Sequence, residues 1–289
     1  MASIDLRGYT PNEFERQFNP RVAVPDHQAK IDARAAASAA ALGRLERLAD
    51  LRYGPNPNEI LDIYPAPGPH PAPVQLYIHG GYWRAQDKAD FAFLAEPLVA
   101  AGATAVLVNY DLCPTVPLAE VVAETMRAIA WTWRNIRNHG GDPDRIFISG
   151  SSAGAHLCAM ALAHDWTADG LPADVIKGAV PVSGIYDVTP VLAISVNEQV
   201  RLDPESAERL SPLSLPPRRA LPLLVAVGGG ETQEWIRQSK DYVAMCQAHG
   251  VEAEYMELAG ADHFDMTAVL ADPARPLLPA LLRQMGLGG

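Results

Sequence analysis

The sequence predicts an α/β chain with a mainly parallel sheet covered by helices on both faces. Two patterns carry that prediction. Short apolar runs such as VQLYI, TAVLVNY and PLLVAV alternate with longer segments of helical periodicity. Alternation of this kind needs crossover helices, which bury both faces of the sheet. Length agrees: 289 residues suit one large α/β domain or two small ones, with ample core. Sheets of this class bind ligands beyond the C-terminal ends of their strands, so those ends are where chemistry is sought.

In chain order, 28–48 favours a helix by composition, and 51–65 reads as two short strands around a Pro/Asn/Gly turn. VQLYIHG precedes a helical DFAFLAEPLVAAG. TAVLVNY precedes a long amphipathic helix over 118–141 with a glycine stop. RIFISG precedes the helix AGAHLCAMALAHDW. GAVPVSG and PLLVAVGGG are two further strands, QEWIRQSKDYVAMCQAHG is a helix ending in Gly, EAEYMEL is a last strand, and a helix over 274–285 closes the chain. Residues 187–220 break the rhythm. They read as an insertion of short helices that, with the N-terminal segment 1–48, forms a small helical cap on a single domain.

Composition excludes several classes. Hydrophobic residues are 48% and charged residues 20%, with a formal net charge of -11 and no Lys/Arg cluster. Nucleic acid and anionic membrane are therefore poor partners, and a small-molecule substrate is expected, with a homodimer left open. No run is long and apolar enough for a membrane span, and the first ten residues lack an apolar signal core, so a cytoplasmic protein is expected. The three cysteines are far apart with no metal spacing, and each reads as a buried thiol; no metal or cofactor is expected.

Gly150-Ser151-Ser152-Ala153-Gly154 fits G-x-S-x-G between an apolar strand and an apolar helix. That context is the nucleophile elbow of α/β-hydrolases. The turn is so tight that its flanks must be small, and the serine is thrown out at a helix start, where partial positive charge favours a developing oxyanion. Ser152 is the candidate nucleophile. A mere small-residue turn is the competing explanation.

A serine needs a base, and the base needs an orienting carboxylate, in the order Ser, acid, His for this fold. Four of the eight histidines follow Ser152. His156 and His164 fall on or near the elbow helix, and His249 sits at a helix C-terminus, where capping or packing is expected. His263, in AGADHFDM beyond a strand end, is the candidate base. Glu231, directly after PLLVAVGGG, is the candidate acid. Asp187, after SGIY, competes with it, whereas Glu234 reads as a surface residue one turn later. VGGGE makes a poor phosphate loop, because no lysine follows.

His79-Gly80-Gly81-Tyr82-Trp83 follows the strand VQLYI. A tetrahedral oxyanion needs preorganised N–H donors. Gly80 and Gly81, lacking Cβ atoms, fill the loop position that supplies them, together with the amide of Ala153. His79 is expected to pin the loop. Tyr82, Trp83 and Tyr186 are expected to wall the substrate pocket, with Trp83 packing under the loop as the other reading.

ERQFNPR, LDIYPAP, HGGYW, VNYDLCP, GSSAGAHL, SGIYDV, GGETQEWIRQS and ADHFD occur in that order. In these stretches, spread over most of the chain, the protein resembles the arylformamidase (kynurenine formamidase) branch of the hormone-sensitive-lipase-like α/β-hydrolases. The resemblance implies a triad of Ser152, Glu231 and His263 and an oxyanion hole of Gly80, Gly81 and Ala153. It implies hydrolysis of an N-formyl aryl amine or a small ester without cofactor. A hydrolase-fold protein that binds a ligand without turnover is the alternative of another class.

Overall fold

The computed structural model describes residues 5–68 and 71–288; the reading of the first residues as lacking a signal core falls partly on 1–4, outside them. Helices α1 (Pro11–Phe18), α2 (Pro20–Ala23) and α3 (His27–Leu42) lead into strands β1 (Leu48–Arg52), β2 (Ile60–Tyr64) and β3 (Ala72–Ile78). Then come α4 (Ala95–Ala100), β4 (Thr104–Val108), α5 (Leu118–Asn135), β5 (Gly141–Ser151), α6 (Ala153–Ala163) and β6 (Ile176–Val182). The chain closes with α7 (Asn197–Val200), α8 (Pro204–Arg209), β7 (Leu223–Gly228), α9 (Gln233–Ala248), β8 (Ala253–Leu258), α10 (Met266–Ala271) and α11 (Leu277–Gln284).

The strands form one sheet in the order β1-β2-β4-β3-β5-β6-β7-β8. Pairs from β4 to β8 are parallel, and β1 and β2 join antiparallel at one edge. β3, β4 and β7 are buried at every residue, because layers cover both faces. Val74, Leu76 and Ile78 pack on one side with Leu157 of α6, Val121 of α5 and Trp235 of α9. Tyr77 faces the other side, with Phe91, Leu98 of α4 and Leu281 of α11. Each fully buried side chain of this size contributes about 1.5–3 kcal/mol.

Some expected boundaries move. The helix expected over 28–48 stops at Leu42, where Gly43 caps it, and Leu48 already begins β1. The helix expected from Asp90 opens as a 3-10 segment, Lys88–Leu94, and turns α-helical at Ala95. Thr10 caps α1 with Glu13 in a reciprocal capping box and Pro11 at its first position. Residues 187–220 carry short helices as expected. All three cysteines are buried. Among the described residues, no helix is long and apolar enough to cross a membrane.

The sheet order sets the site. β3 and β5 are neighbours, with Ile78 opposite Gly150, so HGGYW and the elbow emerge side by side. β7 and β8 are neighbours, with Gly228 opposite Leu258, so the loops bearing Glu231 and His263 also emerge together.

Candidate active site

Ser152 adopts φ 57° and ψ -117°, a region that non-glycine residues occupy only at a cost of order 1–3 kcal/mol. The surroundings enforce it. Its N–H donates to the Val182 carbonyl (2.8 Å), and its own carbonyl accepts from Ala155 and His156 in the first turn of α6. The elbow glycines are steric necessities. A Cβ on Gly154 would lie 2.0 Å from the Ile78 carbonyl oxygen, and one on Gly150 would lie 2.6 Å from Gly154 backbone. Ser152 stays 8% exposed and lines a pocket together with His263, Gly80 and Gly81.

The HGGYW loop lies directly against this serine. A Cβ on Gly80 would meet the Ser151 carbonyl at 2.8 Å and the Ser152 Cβ at 3.3 Å. Gly81 has φ 110°, and a Cβ there would collide with the Ala85 carbonyl at 2.1 Å. His79 pins the loop: its ring meets the Gly80 carbonyl from Nδ1 (2.8 Å) and Asn109 Oδ1 from Nε2 (3.1 Å), and stacks on Tyr110 at 4.1 Å. Tyr110 donates in turn to the His79 carbonyl at 2.7 Å. Gly80, Gly81 and Ser152 line one pocket, and Ala153 opens α6, where first-turn amides lack intrahelical acceptors.

His263 lines the same pocket, and its Nδ1 meets Glu231 Oε2 at 2.6 Å. A neutral ring donating from Nδ1 keeps its lone pair on Nε2. The Glu231 side chain is fully buried, and its other oxygen accepts from Ser183 Oγ (2.5 Å) and the Gly228 amide (2.8 Å). The buried carboxylate thus accepts three hydrogen bonds shared between its two oxygens, the compensation that such burial demands. Trp235 packs against the His263 ring at 4.3 Å. Asp187, the competing acid, is engaged elsewhere: it pairs with Arg7 at 2.6 Å and accepts from Thr189. Glu234 is no surface residue; it is buried and pairs with Arg7 (2.8 Å) and Arg237 (2.9 Å).

The other three histidines that follow Ser152 play structural parts. His156 is buried between Trp83, whose Nε1 donates to its Nδ1 (3.2 Å), and the Leu210 carbonyl, 2.8 Å from its Nε2. Burial pushes its pKa down to about 4, so it is neutral. His164 contacts Asp169, and His249 caps the Met245 carbonyl.

The three expected pocket aromatics divide. Tyr82 lines the pocket and its hydroxyl donates to the Phe18 carbonyl. Trp83 lies in the core instead, its ring edge-on to His156 at 4.8 Å. Tyr186 is also fully buried and is not among the lining residues. Its ring folds back over Gly184, where a Cβ would lie 2.4 Å from it, and stacks on Tyr242 at 4.1 Å.

Other participants went unanticipated. Ser183 sits at a strand end, and Trp235 lies one helical turn beyond Glu231; both positions carried a signal. Asn19 and Arg21, from the ERQFNPR stretch, and Arg34 reach the pocket from the N-terminal helices, and no local pattern marks Arg34 or assigns the other two to the pocket. The N-terminal segment is held by a Thr232 hydroxyl bond to the Gln17 carbonyl (2.6 Å), Lys30 pairs to Asp262 (2.5 Å) and Asp265 (2.8 Å), and Glu15 bonds to Ser195.

A model described as alpha/beta hydrolase fold matches residues 75–266. The chain belongs to that α/β-hydrolase family, in its arylformamidase-like branch. It is 33% identical to a kynurenine formamidase of Salmo salar over 95% of this chain and 96% of that one. A kynurenine formamidase of Danio rerio is 32% identical over 98% and 99%. Esterase LipQ of Mycobacterium tuberculosis is 33% identical over 76% of this chain and 58% of its own length. Among solved structures, a Silicibacter sp. protein superposes with TM-score 0.80 at 26% identity, over 92% of this chain and 97% of that one. A thermostable carboxylesterase from a metagenomic library shares the fold, with TM-score 0.70 at 20% identity over 97% of each chain.

Proposed function

We propose that the protein is a serine hydrolase that cleaves a small carboxylic ester or an N-formyl aryl amine through an acyl-enzyme on Ser152. The observation that carries this reading is the 2.6 Å contact of His263 with buried Glu231, on a ring that lines the same pocket as a strained serine. The kynurenine formamidase and esterase relatives support the bond type.

In this reading His263 Nε2 takes the Ser152 hydroxyl proton as Oγ attacks the carbonyl carbon. The oxyanion is held by amides of Gly80, Gly81 and Ala153, donors already in place before charge develops. His263 then returns the proton to the leaving amine or alcohol, and the acyl group, formyl for a formamide, stays on Oγ. Water, deprotonated by the same nitrogen, releases the acid. Glu231 holds the imidazole tautomer and stabilises the imidazolium that forms twice. The N-terminal segment and residues 187–220 act together as the cap, joined through Glu15 and Ser195 (2.7 Å between side chains).

The non-catalytic binding alternative predicts an inert serine. A fluorophosphonate should label Ser152 in the native protein. Ser152→Ala should lose at least about 10⁴-fold in kcat on aryl esters or N-formyl aryl amines. Wild-type turnover by that variant would sink the proposal.

A further inference from the structure

The pocket beside Ser152 has a charge pattern that bond cleavage itself does not require. Arg21, Arg34 and Arg84 line it, and among the described residues no aspartate or glutamate does, although the whole chain carries -11. Arg34 is the most committed of the three. It projects from α3 with its guanidinium over the Phe91 ring, 4.3 Å from the centroid, and its Nε is buried without a hydrogen-bond partner among the described residues. Asp90 acts on it only through space, and the Asp90 carboxylate accepts from the Asp87 amide at 3.1 Å. Arg84 donates to the neutral amide of Gln199. Glu15 and Glu198 act on Arg84 at longer range, and Glu15 is itself taken up by Asn19 and Ser195.

A guanidinium stacked on an aromatic face is held in one plane, and its open N–H groups match the two oxygens of a carboxylate. We propose that Arg34, supported by Arg21 and Arg84, forms an anion-binding subsite of this pocket, and that the preferred substrate is an ester or aryl formamide bearing a carboxylate. This assignment rests on the hydrolase reading of Ser152. It makes Arg34 a specificity-determining residue, and it explains why N-terminal helices far from any catalytic motif close over the serine.

The test compares meta-formamidobenzoate with meta-formamidobenzamide, which share scissile bond and shape and differ in charge. The native protein should favour the carboxylate in kcat/KM by about tenfold or more, the scale of one charge-assisted hydrogen bond. That ratio should fall towards one in Arg34→Gln, mainly through KM for the carboxylate, and be partly kept in Arg34→Lys. A native ratio of one or below, or a ratio untouched by Arg34→Gln, overturns the subsite while leaving Ser152 hydrolysis standing. Should Arg34→Gln fail to fold, Arg84→Gln and the loss of preference in added salt provide the same reading. If neither compound turns over but Ser152 labels with a fluorophosphonate, protection by benzoate over benzamide supports the subsite and equal protection overturns it. Turnover of both compounds by Ser152→Ala removes the hydrolase reading and the subsite together.

Discussion

Two histidines are tied to this serine in different ways. His156 is four residues from Ser152 in the chain, on the elbow helix, yet it is sealed in the core between an indole and a backbone carbonyl. His263 comes from the loop after the last strand, reaches the pocket, and has a buried carboxylate behind it. What separates the proposed base from the brace is the partner on the second nitrogen. A carboxylate stabilises the imidazolium that proton transfer creates, whereas a carbonyl and an indole in an apolar site support only the neutral ring.

The contrast can be broken by substitution. His263→Ala should lower kcat by about 10⁴-fold or more with the fold retained, as steady-state kinetics beside a melting curve will report. Glu231→Gln keeps the shape but not the charge, and kcat should fall by about 10³–10⁴-fold; an unchanged kcat would return Asp187 to consideration. His156→Ala should behave oppositely. It strands the Trp83 N–H and the Leu210 carbonyl and leaves a hole, so stability should fall by about 3 kcal/mol, near 6 °C in Tm, while kcat changes less than about tenfold. Lost activity with an unchanged Tm would erase the distinction.

The smallest effect concerns acid. The folded protein holds His156 neutral down to about pH 4, whereas in the unfolded chain it takes up a proton near pH 6.5. Its contribution is therefore complete above about pH 6.5 and is lost as pH falls towards 4. From pH 7.5 to pH 5 the loss should be about 2 kcal/mol in urea unfolding, and His156→Gln should show a smaller acid loss than the native protein.

Legibility along the chain followed the range of the forces involved. The elbow was readable because Gly150 and Gly154 answer contacts with β3 that any such strand–turn–helix must make. HGGYW was readable for the same reason, as a strand-end loop with bare amides. Strand ends also pointed to His263 and Glu231. Helix α1 is only eight residues long, too short for periodicity, though its Thr10–Glu13 box and Pro11 mark its start. Tyr82, Trp83 and Tyr186 looked alike as sequence, yet only Tyr82 reaches the pocket, because side-chain direction there depends on left-handed backbone at Tyr82 and Trp83 and on Gly184 making room for a ring.

The sequence by itself determined the fold class, the order of the chemical groups along it and the residue types at each strand end. These are written in backbone sterics and polarity within a few neighbouring positions. Tertiary structure decided which carboxylate stands behind His263, and which aromatic and which arginines line the pocket beside Ser152. Each of those outcomes joins segments from distant parts of the chain: Arg7 draws Asp187 away from the site, and α3 lays Arg34 over Phe91. Contacts of that kind form only when burial of the whole core brings the segments together, so no local pattern encodes them.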